Sequence, residues 1–301
     1  MRSQMKTAVI GLGSMGFGMA SSLVRDGHDV WGQDINAQRV ADLHVAGGKG
    51  AATPAILASV DVVVIVVLND KQTRDVLFGD AGIVPHLQKG TVVVSCATVA
   101  PDFAREMEGL CQAAGLYYID APISGGSLRA ASGELTIMAA GDPAAFDAAE
   151  PVLASMSQNV FRLGDCAGAG SAMKAVNQML VGIHIAALAE AMTFGMTQGV
   201  APEQFMQVIT KSAGNSWIVE NRGPHIVDGD YTPRSIVNIW PKDLGIVLDI
   251  AKGAQFSAPL TATAMQQFVA AAGQGMGLDD DAAVAKVYAH NAGLTLPEGK
   301  A

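Results

Sequence analysis

Gly11-Leu12-Gly13-Ser14-Met15-Gly16 stands between an apolar run, Thr7 to Leu12, and an amphipathic stretch, Met15 to Arg25, that closes at Gly27. A Gly-x-Gly-x-x-Gly turn opening a helix after a strand gives each glycine a physical task. Gly11 permits the tight turn, Gly13 lets the backbone approach a pyrophosphate, and Gly16 lets the helix pack closely on the sheet. Leu12, Ser14 and Met15 complete the turn, and the N–H groups at the helix start face the phosphates. A second run, Asp29 to Gln33, leads to Asp34, where a carboxylate can take the ribose hydroxyls of a dinucleotide. The same carboxylate repels a 2′-phosphate, and Ile35 and Asn36 bring no cation to receive one, so the cofactor expected is NAD. Arg39 lies close enough in sequence to reach a phosphate, and Asp34 or Asn36 could equally cap the next helix.

Outward from this turn, further apolar runs at Asp61 to Leu68, Gly90 to Cys96 and Leu116 to Ile119 read as buried strands. Helical stretches such as Pro101 to Ala114, closed by Gly115, separate them. Alternation of this kind builds a doubly wound parallel sheet of the Rossmann type with helices on both faces. Leu135 to Ala140 adds one more strand. After about Phe161 the strands stop, and Ser171 to Gln198 reads as one helix of about 28 residues, apolar nearly all round and therefore buried on most faces. Helical patterns continue at Pro202 to Ser212, Pro241 to Lys252, Pro259 to Gly273 and Asp279 to Ala289. The reading is an α/β dinucleotide-binding domain, 1–166, joined by the long helix to an all-α domain, 167–301, for substrate binding and dimerisation.

Composition removes other classes. Half of the 301 residues are hydrophobic and 16% are charged, enough apolar material for a sizeable core. A net charge of −9 argues against a general nucleic-acid binder. No run approaches about 18 uninterrupted apolar residues, so no membrane span is expected. Met1-Arg2-Ser3-Gln4 runs straight into the first strand without a signal-peptide pattern. Three widely spaced cysteines, Cys96, Cys111 and Cys166, suit a reducing cytoplasm. The six histidines lack ligand spacing, and no metal site is expected. Glycine, at 34 residues, exceeds the usual share of about 7%, which points to backbone in close approach to something.

Two further segments carry chemistry. Asp120-Ala121-Pro122-Ile123-Ser124-Gly125-Gly126 follows the fifth strand; Ser124, Gly125 and Gly126 form either an anion-binding nest for a substrate carboxylate or a plain turn. Gly168 to Gln178 opens the long helix, with Lys174, Asn177 and Gln178 at i, i+3 and i+4 on one face. Polar groups inside an otherwise apolar helix face a ligand or snorkel to the surface.

GLGSMG, DAPISGG, the Gly168–Gln178 stretch and Lys242-Asp243-Leu244 follow the order and spacing of the β-hydroxyacid dehydrogenases, and the resemblance covers essentially the whole chain. It implies NAD-dependent oxidation of a small anionic hydroxy acid, with Lys174 as acid/base and Ser124, Gly125 and Gly126 on the substrate carboxylate. It further implies that Asn177 or Gln178 contacts substrate hydroxyls, that Thr98 lies near the nicotinamide ribose, that Lys242 reaches toward the cofactor, and that Leu68 and Asn69 line the cofactor cleft. Ala97 stands where many relatives have a hydroxyl. The segments Val76 to Gly79, Gly182 to Ala187, Gly214 to Trp217, Glu220 to Arg222 and Gly229 to Pro233 resemble a branch acting on the sugar acid L-threonate. Other members act on 3-hydroxyisobutyrate, D-glycerate or tartronate semialdehyde. A non-catalytic dinucleotide sensor would need neither Lys174 nor the carboxylate loop. The long helix is expected to mediate a homodimer or homotetramer.

Overall fold

Residues 3–299 are described by a computed structural model of the chain. It divides into two compact units, Met1–Lys174 and Ala175–Ala301. The first contains β1 (Lys6–Ile10), α1 (Ser14–Arg25), β2 (Asp29–Gln33), α2 (Ala37–Val45), α3 (Pro54–Leu57), β3 (Val62–Ile65) and α4 (Asp70–Phe78). It continues with β4 (Val92–Ser95), α5 (Pro101–Ala113), β5 (Tyr117–Asp120), β6 (Ile123–Ser124), α6 (Gly126–Ser132), β7 (Leu135–Gly141), α7 (Pro143–Met156) and β8 (Ser157–Arg162). Helix α8 (Ala169–Thr197) runs on into the second unit, which adds α9 (Pro202–Ile209), α10 (Trp217–Asp228), α11 (Ile239–Gly253), α12 (Pro259–Ala271) and α13 (Val284–Asn291).

Strands β2, β1, β3, β4 and β5 lie in that order and pair in parallel. Their apolar runs are continuous because both faces are covered. Val62, Val64, Val92 and Val94 enter a core with Leu23, Phe146 and Leu153, while Val63, Ile65 and Val93 point the other way onto Leu77, Met107 and Cys111. Sheet growth reverses between β1 and β3, and the carboxyl ends of those two strands flank the glycine turn, the place where open α/β sheets take their ligands.

The sheet is mixed, not wholly parallel as expected: β7 runs antiparallel to β5 and to β6. Apolar periodicity reports enclosure and not direction, and β7 is enclosed along almost its whole length. Strand β8, parallel to β7, ends where the strands were expected to stop and was not itself among the expected strands. Gln158, Asn159, Phe161 and Arg162 are exposed on it, so it has no apolar run to recognise. Arg162 stacks 4.6 Å over the Phe146 ring and faces Asp147 at 3.8 Å. At the opposite edge the segment 49–52 covers β2, with Lys49 N–H donating to Val30, Gly32 N–H to Gly50 and Ala52 N–H to Gly32.

Helix α8 has 29 residues, close to the expected length. By length and composition it could cross a membrane. Its burial differs from expectation: Met173, Val176, Leu180 and Phe194 are exposed along one face. Ile185, Leu188, Ala189 and Met192 face the core of the second unit with Trp240, Leu244 and Phe268. The first compact unit runs on to Lys174 and so carries the first turn of α8, where Ser171 is hydrogen-bonded to Asp120. Helix α10 lies in a segment with no expected helix, since Gly223 and Pro224 interrupt its pattern; Ser216 caps it, accepting from Val219 N–H at 3.2 Å. The last helix starts at Val284, preceded by a short 3₁₀ turn at Asp281–Ala283.

That turn anchors the second unit. Asp281 is wholly buried, yet accepts from Arg222 Nε at 2.6 Å and from Trp240 Nε1 at 3.0 Å. Burial pushes its carboxyl above the usual range despite the guanidinium. For Asp280 burial acts the same way but is outweighed by hydrogen bonds from His225 and from the Arg234 and Ala282 N–H groups, leaving that carboxyl low.

Candidate active site

The glycine turn shows what each glycine is for. Gly11 has φ +91°, donates its N–H to Gln33 O at 2.8 Å, and has no room for a side chain: a Cβ would lie 2.2 Å from Val66 O. At Gly16 a Cβ would lie 1.9 Å from Gly11 O. Gly13 is different. A Cβ there would meet no protein atom within 4 Å, and φ is an ordinary −65°. Nothing in the fold asks for glycine at 13, so its missing side chain leaves space for a ligand. No side chain caps α1, whose first N–H groups open onto that space. The residues therefore fit a dinucleotide pyrophosphate.

Asp34 is oriented by two backbone donors, Leu12 N–H at 2.6 Å on Oδ2 and Asn36 N–H at 2.8 Å on Oδ1. A carboxylate has about four acceptor positions, so capacity for ribose hydroxyls remains. The cap of α2 is Asn36, which accepts from Gln38 N–H. Arg39 lies over the Phe17 ring at 5.9 Å. Ile35, beside Asp34, is fully exposed and brings an apolar surface, not a cation, next to that carboxylate. Leu12 contributes its N–H here, while its side chain is core. Ser14 is exposed and Met15 half-buried at the start of α1.

After β3 the chain leaves the sheet. Leu68 is exposed, and Asn69 caps α4, accepting from Gln72 N–H while the Gln72 side chain accepts from Leu68 N–H. Thr98 is half-buried past β4, whereas Ala97 is core. Gly125 and Gly126 take φ +137° and +77°, conformations other residues rarely adopt, and Ser124 before them is half-buried.

Lys174, in the second turn of α8, is 7% exposed and donates from Nζ to Ile123 O at 2.8 Å. Its ammonium is thus brought to the residue that precedes Ser124. Asp120 is buried and accepts from Gly168 N–H, Ser171 N–H and Ser171 Oγ. Burial raises its carboxyl and these donors oppose the rise. In the second unit, Asn177 Nδ2 donates to Gln178 Oε1 at 2.9 Å, Gln178 Nε2 to Asp243 Oδ2 at 2.5 Å, and Lys242 Nζ lies 2.7 Å from Asp243 Oδ1. Asp243, buried at the centre of this chain, is a further residue the sequence reading did not single out; its place beside Lys242 was the available signal. Among the described residues no group of three His, Cys, Asp or Glu side chains is placed to hold a metal ion.

A family model described as the NAD binding domain of 6-phosphogluconate dehydrogenase matches residues 6–164. A second, described as the NAD-binding region of NADP-dependent 3-hydroxyisobutyrate dehydrogenase, matches 168–288. The chain is 49% identical over 294 residues to the L-threonate dehydrogenase of Cupriavidus necator, covering 97% of this chain and 98% of that one. It is 43% identical over 300 residues to the L-threonate dehydrogenase of Escherichia coli strain K12, covering 99% and 98%. The structure of a 3-hydroxyisobutyrate dehydrogenase from Salmonella typhimurium superposes with a TM-score of 0.89 at 44% identity, covering 94% of this chain and all of that one.

The contrast between two glycines yields a direct measurement. Gly16→Ala should destabilise the protein by about 2–4 kcal/mol in urea unfolding, because backbone must move. Gly13→Ala should leave stability within about 0.5 kcal/mol of wild type and weaken dinucleotide binding at least about tenfold, read by fluorescence titration with the reduced form, NADH. Equal effects of both substitutions on unfolding would remove the ligand reading of Gly13.

Proposed function

Since the chain belongs to the β-hydroxyacid dehydrogenase family, NAD-dependent oxidoreductases of small hydroxy acids, we propose L-threonate as its substrate and Lys174 as its acid/base. The observation that carries the acid/base reading is the 2.8 Å hydrogen bond from Lys174 Nζ to Ile123 O, at the entrance to the Ser124-Gly125-Gly126 turn. A substrate carboxylate held by the Ser124 hydroxyl and the glycine N–H groups presents its hydroxyl to that ammonium nitrogen.

NAD, when bound, would supply the hydride acceptor for oxidation of the carbinol carbon, which converts L-threonate to 2-oxo-tetronate. The hydroxyl proton goes to Lys174 Nζ, and in the reverse direction the ammonium returns it. As base, Lys174 must first give up its own proton. Asn177 and Gln178, fixed by Asp243, take the remaining substrate hydroxyls. Gly11 through Gly16 and Asp34 hold the dinucleotide, Leu68 and Asn69 line its cleft, and Thr98 and Lys242 serve its nicotinamide end. Asp34 favours NAD over NADP, since a 2′-phosphate would meet its carboxylate.

The long, unpartnered face of α8 through Met173, Val176, Leu180 and Phe194 supports a homodimer or homotetramer. A cytoplasmic setting is supported by three free cysteines; burial pushes the Cys96 and Cys111 thiols up to about 12.

Lys174→Ala should lower kcat by about a thousandfold or more while NAD affinity stays within about twofold; retained turnover would remove Lys174 from the chemistry. Initial rates with NAD and NADP on L-threonate, D-erythronate, D-glycerate and 3-hydroxyisobutyrate should give the highest kcat/KM for L-threonate with NAD. Preference for 3-hydroxyisobutyrate would overturn the substrate assignment, and equal use of NADP that of Asp34. Sedimentation equilibrium should report a dimer or larger, shifted toward monomer by Leu180→Glu with Phe194→Glu; a monomeric wild type would end the oligomer reading.

A further inference from the structure

We infer that Asp120 is a positioning residue for Lys174: by gripping the first turn of α8 from the end of β5, it sets the height and rotation at which the lysine leaves the helix. The inference rests on Lys174 as the acid/base. Asp120 is 1% exposed, and both its oxygens are engaged: Oδ2 accepts from Gly168 N–H at 2.9 Å and Ser171 N–H at 2.8 Å, Oδ1 from Ser171 Oγ at 2.6 Å. Helices usually cap themselves with a nearby Ser, Thr, Asp or Asn. Here the helix has Ser171 in its first turn, but that hydroxyl is turned outward to a carboxylate on a strand.

The second tie lies one turn further along. Lys174 is three residues beyond Ser171, and Ile123 is three residues beyond Asp120; the two segments are joined at both levels, by Ser171 to Asp120 below and by Lys174 Nζ to Ile123 O above. The same short loop therefore fixes where the helix starts and where the ammonium ends. Gly170 makes the fit close, since a Cβ there would lie 2.5 Å from Met138 O and 2.6 Å from Asp120 O. A second buried carboxylate, Glu108, takes the Ala167 N–H at 3.0 Å, holding the approach to the helix from another side. A carboxylate at a helix N-terminus also interacts favourably with the helix dipole. Without Asp120 the long helix would still form, but its first turn would lose its register against the loop that carries Ser124.

The test is a double-mutant cycle on the full-length protein with NAD and L-threonate, or whichever hydroxy acid in the panel above is turned over best. Asp120→Asn turns an NH₂ toward one of the three donors. It should lower kcat about 10- to 100-fold, with NAD affinity and the hydroxy-acid KM within about threefold, the signature of a misplaced acid/base. Ser171→Ala should give a smaller loss in the same parameter and Ser171→Thr should recover it, which keeps the test open where Asp120→Asn fails to fold. In a Lys174→Ala background, Asp120→Asn should cost less than about twofold more in residual turnover, because it acts through the lysine. A folded Asp120→Asn protein with wild-type kcat, or losses that multiply fully with Lys174→Ala, would overturn the positioning role while leaving Lys174 in place. An active Lys174→Ala enzyme would instead overturn the reading beneath it.

Discussion

Between Gly16 and the carbonyl of Gly11 there is no room for a methyl group, and this contact governs the first unit. It brings the start of α1 against the end of β1, while Gly11 itself is pressed on Val66 at the neighbouring strand. Those approaches place the helix N-terminus over the point where sheet growth reverses. From there the remaining strand ends deliver Asp34, Thr98 and Asp120 to one edge of the sheet, and the cofactor edge becomes a consequence of packing. Of the three glycines Gly11, Gly13 and Gly16, Gly13 is the one that packing does not require, and the position its side chain would take is open space.

Buried carboxylates mark the other fixed points. Asp120, Asp243 and Asp281 are each almost or wholly inaccessible, and each is met by donors from more than one direction. An ionised group in such a place is strongly unfavourable unless paired, so the donors define its geometry narrowly. Asp281 ties α10 to α11 in this way. Asp120 ties a helix to a strand, and Asp243 orders two amides on α8. The polar interior is concentrated where elements must be set relative to reacting groups or to one another.

How much of this could be read in advance depended on whether a residue's task was local. The Gly11–Gly16 spacing and the apolar strand runs reveal their structural tasks within a few residues of themselves, and the family motifs occupy the same positions. The antiparallel direction of β7 is not local, because enclosure makes the same pattern whichever way a strand runs. Nor is the grip of Asp120 on Ser171, since side chains 51 residues apart give no sign of each other in a linear reading. Helix α8 misled in a third way: an apolar surface left exposed and one buried within the chain have the same composition.

Strand β8 went unnoticed because it is polar, and that polarity has its own consequence. A sheet grows until something stops it, and an unpaired strand edge will accept a strand from any passing chain. At one margin here, Gln158, Asn159 and Arg162 are exposed with Phe161 among them, and Arg162 is held over Phe146. At the other, segment 49–52 has already taken the hydrogen bonds of β2. One margin of a sheet rich in buried valine strands is thereby closed to strand addition, and the closure is made by a short loop segment with no strand pattern of its own.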